Sequence, residues 1–284
     1  QSGGEVFTYA DVKQILIEKG KAVGVRMADG EEVRAPLVIS NAGVFNTFGT
    51  LLPDTAPEKD FYQQKLQTVE RSMASNCLYI GLQDTAENLG LPKTNYWIYP
   101  GPNYEKNLEE FMAAPDKTDI PLTYISFPSA KDPSFADRYP GRATIEIVAP
   151  GPHEWYAEWA DKTWGKRGEE YEAEKEAYAQ RLLAKLYEKF PHLEGKVDYY
   201  ELSTPLSTDY FCRYSKGEIY GLNHTPDRFE QDWLKPKTRI PGLYLTGQDV
   251  MTCGVVGAMI GGLLTTIAVS GLKGLPLAKK MFVG

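Results

Sequence analysis

The chain has 284 residues, of which 42% are hydrophobic and 24% are charged, and its formal net charge is -7. This length and apolar content provide for one large domain or two ordinary ones, and they exclude a disordered chain. The acidic balance, without a cluster of Lys and Arg on one element, argues against nucleic acid as a partner.

The first predicted elements are a small antiparallel meander and one buried strand. β-branched residues predict a strand that begins near Val12, and a second strand follows over residues 22–27. The Asp-Gly pair at residues 29–30 favours a hairpin turn. The short apolar run over residues 37–40 does not alternate, which is typical of a strand buried on both faces of a larger sheet.

The middle of the chain predicts a mixed sheet backed by helices. Loops rich in Pro, Asp and Lys separate its strands. The predicted strands cover residues 76–82, 95–99, 122–127, 143–149 and 197–202. The predicted helices cover residues 56–71, 153–164 and 168–190.

The most informative pattern lies near the end of the chain. A strand over residues 243–246 leads into Gly247, then Asp249, then a glycine-rich run without charge from Val255 to Leu272. A glycine turn lets the backbone approach a ligand, and the N–H groups of a helix start attract an electron-rich group. The pattern alone also allows a buried core helix. A transmembrane helix fits less well, because Thr and Ser dilute the run.

Cysteine and histidine are too few and too scattered for a disulfide framework or a metal site. These residues are Cys77, Cys212, Cys253, His153, His192 and His224. We expect free thiols in a reducing, cytoplasmic setting, structural or surface roles for the histidines, and no bound metal.

Several segments resemble the phytoene desaturase–amine oxidase superfamily of flavoproteins. They are Ser-Asn-Ala-Gly-Val-Phe-Asn-Thr at 40–47, Phe-Pro-Ser-Ala-Lys-Asp-Pro at 127–133, Tyr-Ser-Lys-Gly-Glu-Ile-Tyr-Gly at 214–221, Ile-Pro-Gly-Leu-Tyr-Leu-Thr-Gly-Gln-Asp at 240–249, Thr-Cys-Gly at 252–254 and Val-Gly-Ala at 256–258. The Gly-Gln-Asp and Thr-Cys-Gly version is similar to that of retinol-saturating enzymes. The resemblance covers nearly the whole chain.

The resemblance implies an FAD site built by both ends of the chain. The implied fold class is α/β (α+β), in which residues 1–47 and 207–284 form an incomplete Rossmann-like FAD-binding domain around a substrate-binding domain at residues 48–206. The matched FAD-binding positions are Val12, Ser40, Asn41, Ala42, Gly247, Asp249, Val256, Gly257 and Ala258. No catalytic residue is indicated.

One element of the superfamily pattern is missing. The Gly-Xaa-Gly-Xaa-Xaa-Gly fingerprint that cradles a pyrophosphate does not occur in this sequence. We therefore expect an upstream segment of the same protein to complete the FAD site. We expect the chain alone to bind FAD weakly and to be inactive. No signal peptide is visible at Gln1.

The implied reaction is flavin-dependent reduction of a carbon–carbon double bond in a retinoid or related polyene, with NAD(P)H as a possible electron source. Carotenoid isomerisation or desaturation, and a non-catalytic module that binds an apolar ligand or a partner, stay open. Four aromatic residues are candidates to line the substrate, although each also suits core packing. They are Tyr79, Tyr124, Phe127 and Tyr220. An apolar polyene makes peripheral membrane contact plausible.

Overall fold

The strands of the computed structural model, which describes residues 3–274, 276 and 279, fall into three sheets. The strands are β1 Val12–Glu18, β2 Lys21–Met27, β3 Glu32–Arg34, β4 Val38–Ser40, β5 Ser75–Leu82, β6 Tyr96–Ile98, β7 Thr123–Ser126, β8 Ala143–Pro150, β9 Val197–Ser203 and β10 Leu243–Leu245. Every predicted strand is present to within two residues at each end. The mixed α and β fold class is confirmed.

The helices vary more in length than the sequence predicts. They are α1 Lys59–Leu66, α2 Tyr104–Ala113, α3 Pro128–Lys131, α4 Phe135–Arg138, α5 Glu169–Lys189, α6 Pro205–Cys212, α7 Pro226–Phe229 and α8 Gly254–Ser270. A π-helix occupies Phe45–Leu51, and 3₁₀-helices occupy His153–Trp159, Pro191–Leu193 and Gly271–Gly274. None of the described helices is long and apolar enough to span a membrane.

The chain divides into two compact units. Unit 1 contains residues 1–72 and 220–284, and unit 2 contains residues 73–219. We placed these divisions at residues 47 and 206. Both divisions lie later in the structure, after residues 72 and 219. The first one is later because the turn Phe45–Leu51 and helix α1 pack in the core of unit 1, where the rings of Phe48 and Tyr62 stack with their centroids 3.6 Å apart.

Unit 1 contains the predicted meander and a short parallel pair. Strands β1, β2 and β3 pair antiparallel in sequence order, whereas β4 pairs in parallel with β10. The N–H of Ala22 donates to the carbonyl oxygen of Pro241 at 2.8 Å, which ties the meander to the start of β10. Both ends of the chain therefore build one unit, as parallel strands that are distant in sequence require.

Unit 2 contains a five-stranded antiparallel sheet in the order β6-β7-β8-β5-β9. Alternate residues of β5 and β8 point into a core shared with helix α5, and the intervening residues form an open face. The Phe-Pro-Ser-Ala-Lys-Asp-Pro motif has a structural role here. The Ser129 hydroxyl accepts the N–H of Thr144 at 2.9 Å, and Lys131 binds Ser126 and Asn95.

Candidate functional site

The carboxyl end of β4 meets the glycine turn that follows β10. The N–H of Thr246 donates to the carbonyl oxygen of Ser40 at 2.9 Å, which extends the parallel pairing to the turn. Gly247 has a φ of +88°, and a Cβ at this position would collide with the Asn41 side chain. Only glycine fits both conditions. The structure thus brings Ser40, Asn41 and Gly247 together, as the sequence predicts.

A network of polar contacts steadies this strand end. The Ser40 and Thr47 hydroxyls lie 2.6 Å apart in a buried position. The N–H of Ala42 lies 3.4 Å from the Ser40 hydroxyl, and its carbonyl oxygen accepts the Asn46 amide at 2.9 Å. Main-chain atoms around Ala42 therefore have a fixed direction at the edge where ligands gather in parallel sheets.

Asp249 lies at the centre of the junction and is only 4% exposed. One carboxylate oxygen accepts the N–H of Val44 at 2.8 Å, and the other accepts the N–H of Leu222 at 3.2 Å. Hydrogen bonds to an ionised acceptor are stronger than neutral ones. Asp249 thus holds the segment after β4 against the segment before α7, a role that the sequence does not reveal.

Gly221 belongs to the segment 214–221 that resembles the superfamily, although the sequence does not single it out as a site residue. Its φ is +65°, and a Cβ here would collide with the Asp249 carboxylate. The neighbouring N–H of Tyr220 donates to the Ser72 hydroxyl at 2.9 Å. The last two residues of this segment belong to unit 1, where Gly221 lies beside Asp249.

Two further polar side chains hold the turn between β10 and α8. Arg228, only 4% exposed, donates to the carbonyl oxygens of Gln248 at 2.8 Å and Met251 at 3.1 Å. The Nε2 atom of His224 accepts the N–H of Cys253 at 2.7 Å. No sequence pattern marks Arg228, because its partners are carbonyl groups twenty or more residues away.

The glycines inside α8 have a packing role. A Cβ at Gly257 would collide with Thr252, and a Cβ at Gly261 would collide with the main chain of Gly247. Gly257 and Gly261 therefore let α8 pack closely against neighbouring backbone. The hydroxyl of Thr265 also donates to the carbonyl oxygen of Leu245 at 2.8 Å, so α8 lies directly on the glycine turn.

The first residues of α8 are open by contrast. Gly254 has a φ of +82°, and a Cβ there would meet no described atom within 4 Å. Val255 is 87% exposed and Val256 is 65% exposed, while Ala258 is half-buried. A helix start carries free N–H groups and the positive end of the dipole. Open space, apolar flanks and this polarity fit a flat, electron-rich ring such as that of a flavin.

Val12 occupies a different part of unit 1. It begins β1 and pairs with Met27, whereas Ala22, which contacts Pro241 before β10, pairs with Ile17. Five residues of strand separate Val12 from that contact, or about 17 Å at ~3.3 Å per residue. Val12 therefore lies at the end of the hairpin that is remote from the contact with Pro241. Its expected role in FAD binding stays a prediction.

The open face of unit 2 carries a row of side chains that we call the aromatic row: Trp97, Tyr124, Val148, Cys77 and Tyr79. Cross-strand pairs join the first four in that order, and Tyr79 lies two residues beyond Cys77 on the same face. The rings of Trp97 and Tyr124 lie 4.7 Å apart, and Trp97 is 59% exposed. Two of the predicted substrate residues, Tyr79 and Tyr124, thus lie on one open surface, with strand β8 between them.

The other two predicted substrate residues lie elsewhere. Phe127 is fully buried and packs edge-on against Phe190 and Tyr96 in the core, so its assignment as a substrate residue was wrong. The physical reason is the strand alternation, which sends residues three apart, such as Tyr124 and Phe127, to opposite faces. Tyr220 is exposed, but it belongs to unit 1.

The Cys77 thiol and the Tyr79 phenol in the aromatic row are neutral at pH 7. Burial raises the pKa of the Cys77 thiol to about 11, and the Glu146 carboxylate adds to this effect. Burial also raises the pKa of Tyr79. A neutral, partly aromatic surface suits an apolar ligand. Within the described residues, no group of His, Cys, Asp and Glu could hold a metal ion.

Comparison with known proteins agrees with the motifs. The chain is 38% identical to human all-trans-retinol 13,14-reductase over 279 residues, which are 95% of this chain and 46% of that protein. It is 31% identical to chloroplastic prolycopene isomerase from Arabidopsis thaliana, over 92% of this chain and 41% of that protein. The chain spans about half the length of these curated relatives. No protein-family model matches it.

A solved structure supports the fold. An oxidoreductase from Methanosarcina mazei aligns with a TM-score of 0.51 and 20% identity, over 91% of this chain and 49% of that one. This likeness concerns the fold alone. The sequence relatives, which also include a phytoene desaturase from Paracoccus at 26% identity, confirm the resemblance that the motifs indicate.

Proposed function

We propose that the protein is an FAD-dependent oxidoreductase that acts on a carbon–carbon double bond of an apolar polyene, with a retinoid as the first candidate substrate. The observation that carries the proposal is the open start of α8 beside the glycine turn. It coincides with the motifs shared with a retinol reductase. The finer assignment of retinoid over carotenoid rests on the higher identity to the reductase.

In this proposal, unit 1 holds the flavin. The main-chain N–H groups at Gly254 and Val255 would face the ring, and the half-buried Ala258 would lie one turn further along the helix. Main-chain atoms of Asn41 would face the phosphate and ribityl part, where Asp249 holds the neighbouring segments in place. FAD would supply the hydride chemistry when bound.

The side chains at the start of α8 would exclude water from the reacting face. Val255, Val256 and Met259 are large, apolar and exposed, so burying them against a ring and a polyene removes apolar surface from water.

The aromatic row of unit 2 is the proposed surface for the polyene. Its members offer ring faces and a neutral thiol, and a conjugated chain packs well against aromatic rings. Glu146 and Ser126 lie one step along the sheet on the same face. They would suit the hydroxyl end of a retinoid better than the hydrocarbon end of a carotenoid.

A flavin assay and a product panel test the proposal. The protein expressed from the complete gene is purified, and its flavin is reduced in the absence of oxygen. All-trans-retinol, prolycopene or phytoene is then added. We expect stoichiometric flavin absorbance and a saturated product from retinol. Conversion of prolycopene alone favours the isomerase alternative. A protein without flavin that still binds retinol supports the non-catalytic module and refutes the proposal.

A matched pair of variants localises the flavin. Val256→Asp adds negative charge at the start of α8, where the dipole stabilises it and folding is preserved. It should lower flavin occupancy. Val33→Asp places the same change on the exposed strand β3 and should leave occupancy unchanged. Equal occupancy in both variants contradicts the assignment of the ring to α8.

A further inference from the structure

The residue before helix α8 is held by an imidazole. Cys253 is the N-cap of α8, and its own side chain makes no capping hydrogen bond. Its N–H instead donates to Nε2 of His224 at 2.7 Å. A ring nitrogen accepts a hydrogen bond only when it carries a lone pair, so the contact requires neutral imidazole with its proton on Nδ1.

The second side of the ring is also engaged. The backbone of Leu222, whose N–H donates to Asp249, lies near the imidazole and raises the pKa of His224, although less than burial lowers it. His224 therefore lies between two main-chain segments, the one that Asp249 fixes and the turn of residues 252–254. The ring of Phe229 lies 6.0 Å away and shields a further side.

The charged groups around His224 oppose its protonation on balance. Burial is the largest cause that lowers its pKa from the ordinary value of 6.5, and the nearby Arg228 guanidinium adds to it. Asp249 acts in the opposite direction but more weakly. Cys253, on the N-terminal side of α8, is the other titratable group at this contact.

We propose that His224 is a positioning residue that fixes the turn before α8 only while its imidazole is neutral, and that acidification releases this turn. An imidazolium carries N–H donors on both nitrogens, so its Nε2–H would point at the N–H of Cys253 and the two donors would repel. In its bearing on the flavin site the inference rests on the proposed function. The contact itself does not.

The direction of the pH effect follows from linkage. The folded pKa of His224 lies below the unfolded value near 6.5, so the unfolded chain binds more protons at mildly acidic pH. The stability from this contact is complete above the unfolded pKa and is lost as pH falls through the folded pKa. The loss begins at the turn of residues 252–254.

Nuclear magnetic resonance of the 284-residue chain tests this without flavin. Imidazole ¹⁵N shifts report which nitrogen of His224 carries the proton, and amide exchange reports the protection of Cys253. On acidification from pH 7.5 to 5, we expect this protection, corrected for intrinsic exchange rates, to fall about tenfold, as for one lost hydrogen bond. The fall should follow the titration of His224.

Two variants separate positioning from general stability. His224→Gln supplies an amide oxygen near the place of Nε2 that does not titrate, so Cys253 should stay protected at both pH values. His224→Ala should lose the protection at both. His192→Gln is the control, because it makes the same substitution in unit 2. There the Nε2 atom of His192 lies 3.1 Å from the carbonyl oxygen of Leu89.

The outcomes are decisive whether or not flavin binds. Cys253 protection that is equal in wild type and His224→Ala, or that ignores the titration of His224, overturns the inference. An Nδ1 atom of His224 that carries no proton at pH 7.5 also overturns the inference. If the protein proves to bind no flavin, the proposed function fails, whereas these amide measurements keep their meaning.

Discussion

Replacing Asp249 with Asn tests the role of the buried carboxylate at the junction. The substitution keeps the size and shape of the side chain but replaces one acceptor oxygen with an NH₂ donor. In the native protein the two oxygens accept the N–H groups of Val44 and Leu222. In Asp249→Asn one of these two buried N–H groups loses its acceptor and faces a donor.

The expected cost follows from those two bonds. Leaving a buried backbone N–H unpaired costs roughly 1–3 kcal/mol, and the bond that remains loses its charge assistance, on the order of 1 kcal/mol. We therefore expect unit 1 to lose roughly 2–4 kcal/mol of unfolding free energy. Asp60 is exposed on helix α1, so Asp60→Asn should cost under about 1 kcal/mol.

Hydrogen–deuterium exchange in increasing urea, resolved by peptide, measures this loss. Peptides from unit 2 are the internal reference, since Asp249 lies in unit 1. The change should be largest in the peptides that contain Val44 and Leu222. If Asp249→Asn costs no more than Asp60→Asn, the carboxylate does not hold these segments together and the reasoning is refuted.

Two other predictions use contrasts within the chain. Gly261→Ala should lower the melting temperature, because the new Cβ meets the backbone of Gly247. Gly262→Ala has space for its Cβ and should stabilise α8 by roughly 0.5–1 kcal/mol. Thermal unfolding compares the two variants, and equal shifts in melting temperature contradict the packing of α8 on Gly247. With its pKa at about 11 instead of 9.0, Cys77 at pH 8 has a thiolate fraction about 100-fold lower. Mass spectrometry of timed iodoacetamide labelling should therefore find exposed Cys212 modified well before Cys77, and equal rates contradict the burial argument.

Local patterns in the sequence were sufficient for most elements. The strands of unit 2 alternate apolar and polar residues, and this period of two is visible without any tertiary information. Helix α8 was visible as an uncharged run that follows a glycine turn. The short helices α2 and α6 were missed, because ten and eight residues span only about two to three helical turns, which is too short for a clear periodic signal.

The candidate site divides in the same way. Gly247 and Asp249 were found because the strand, turn, acid and helix lie within one short stretch of sequence. The error at Phe127 was avoidable, since its odd separation from Tyr124 already places the two side chains on opposite faces of a strand. Arg228 carried no signal, because its carbonyl partners are defined only by the folded backbone.

The sequence by itself determined that this protein has a glycine turn, an acid and an open-ended helix in succession, because backbone conformation at such positions depends on the nearest residues. Only the tertiary structure decided that Asp249 bonds the N–H of Val44, 205 residues away, and that Gly261 is needed against Gly247. Contacts of this kind depend on which segments meet after folding, and local spacing carries no record of them.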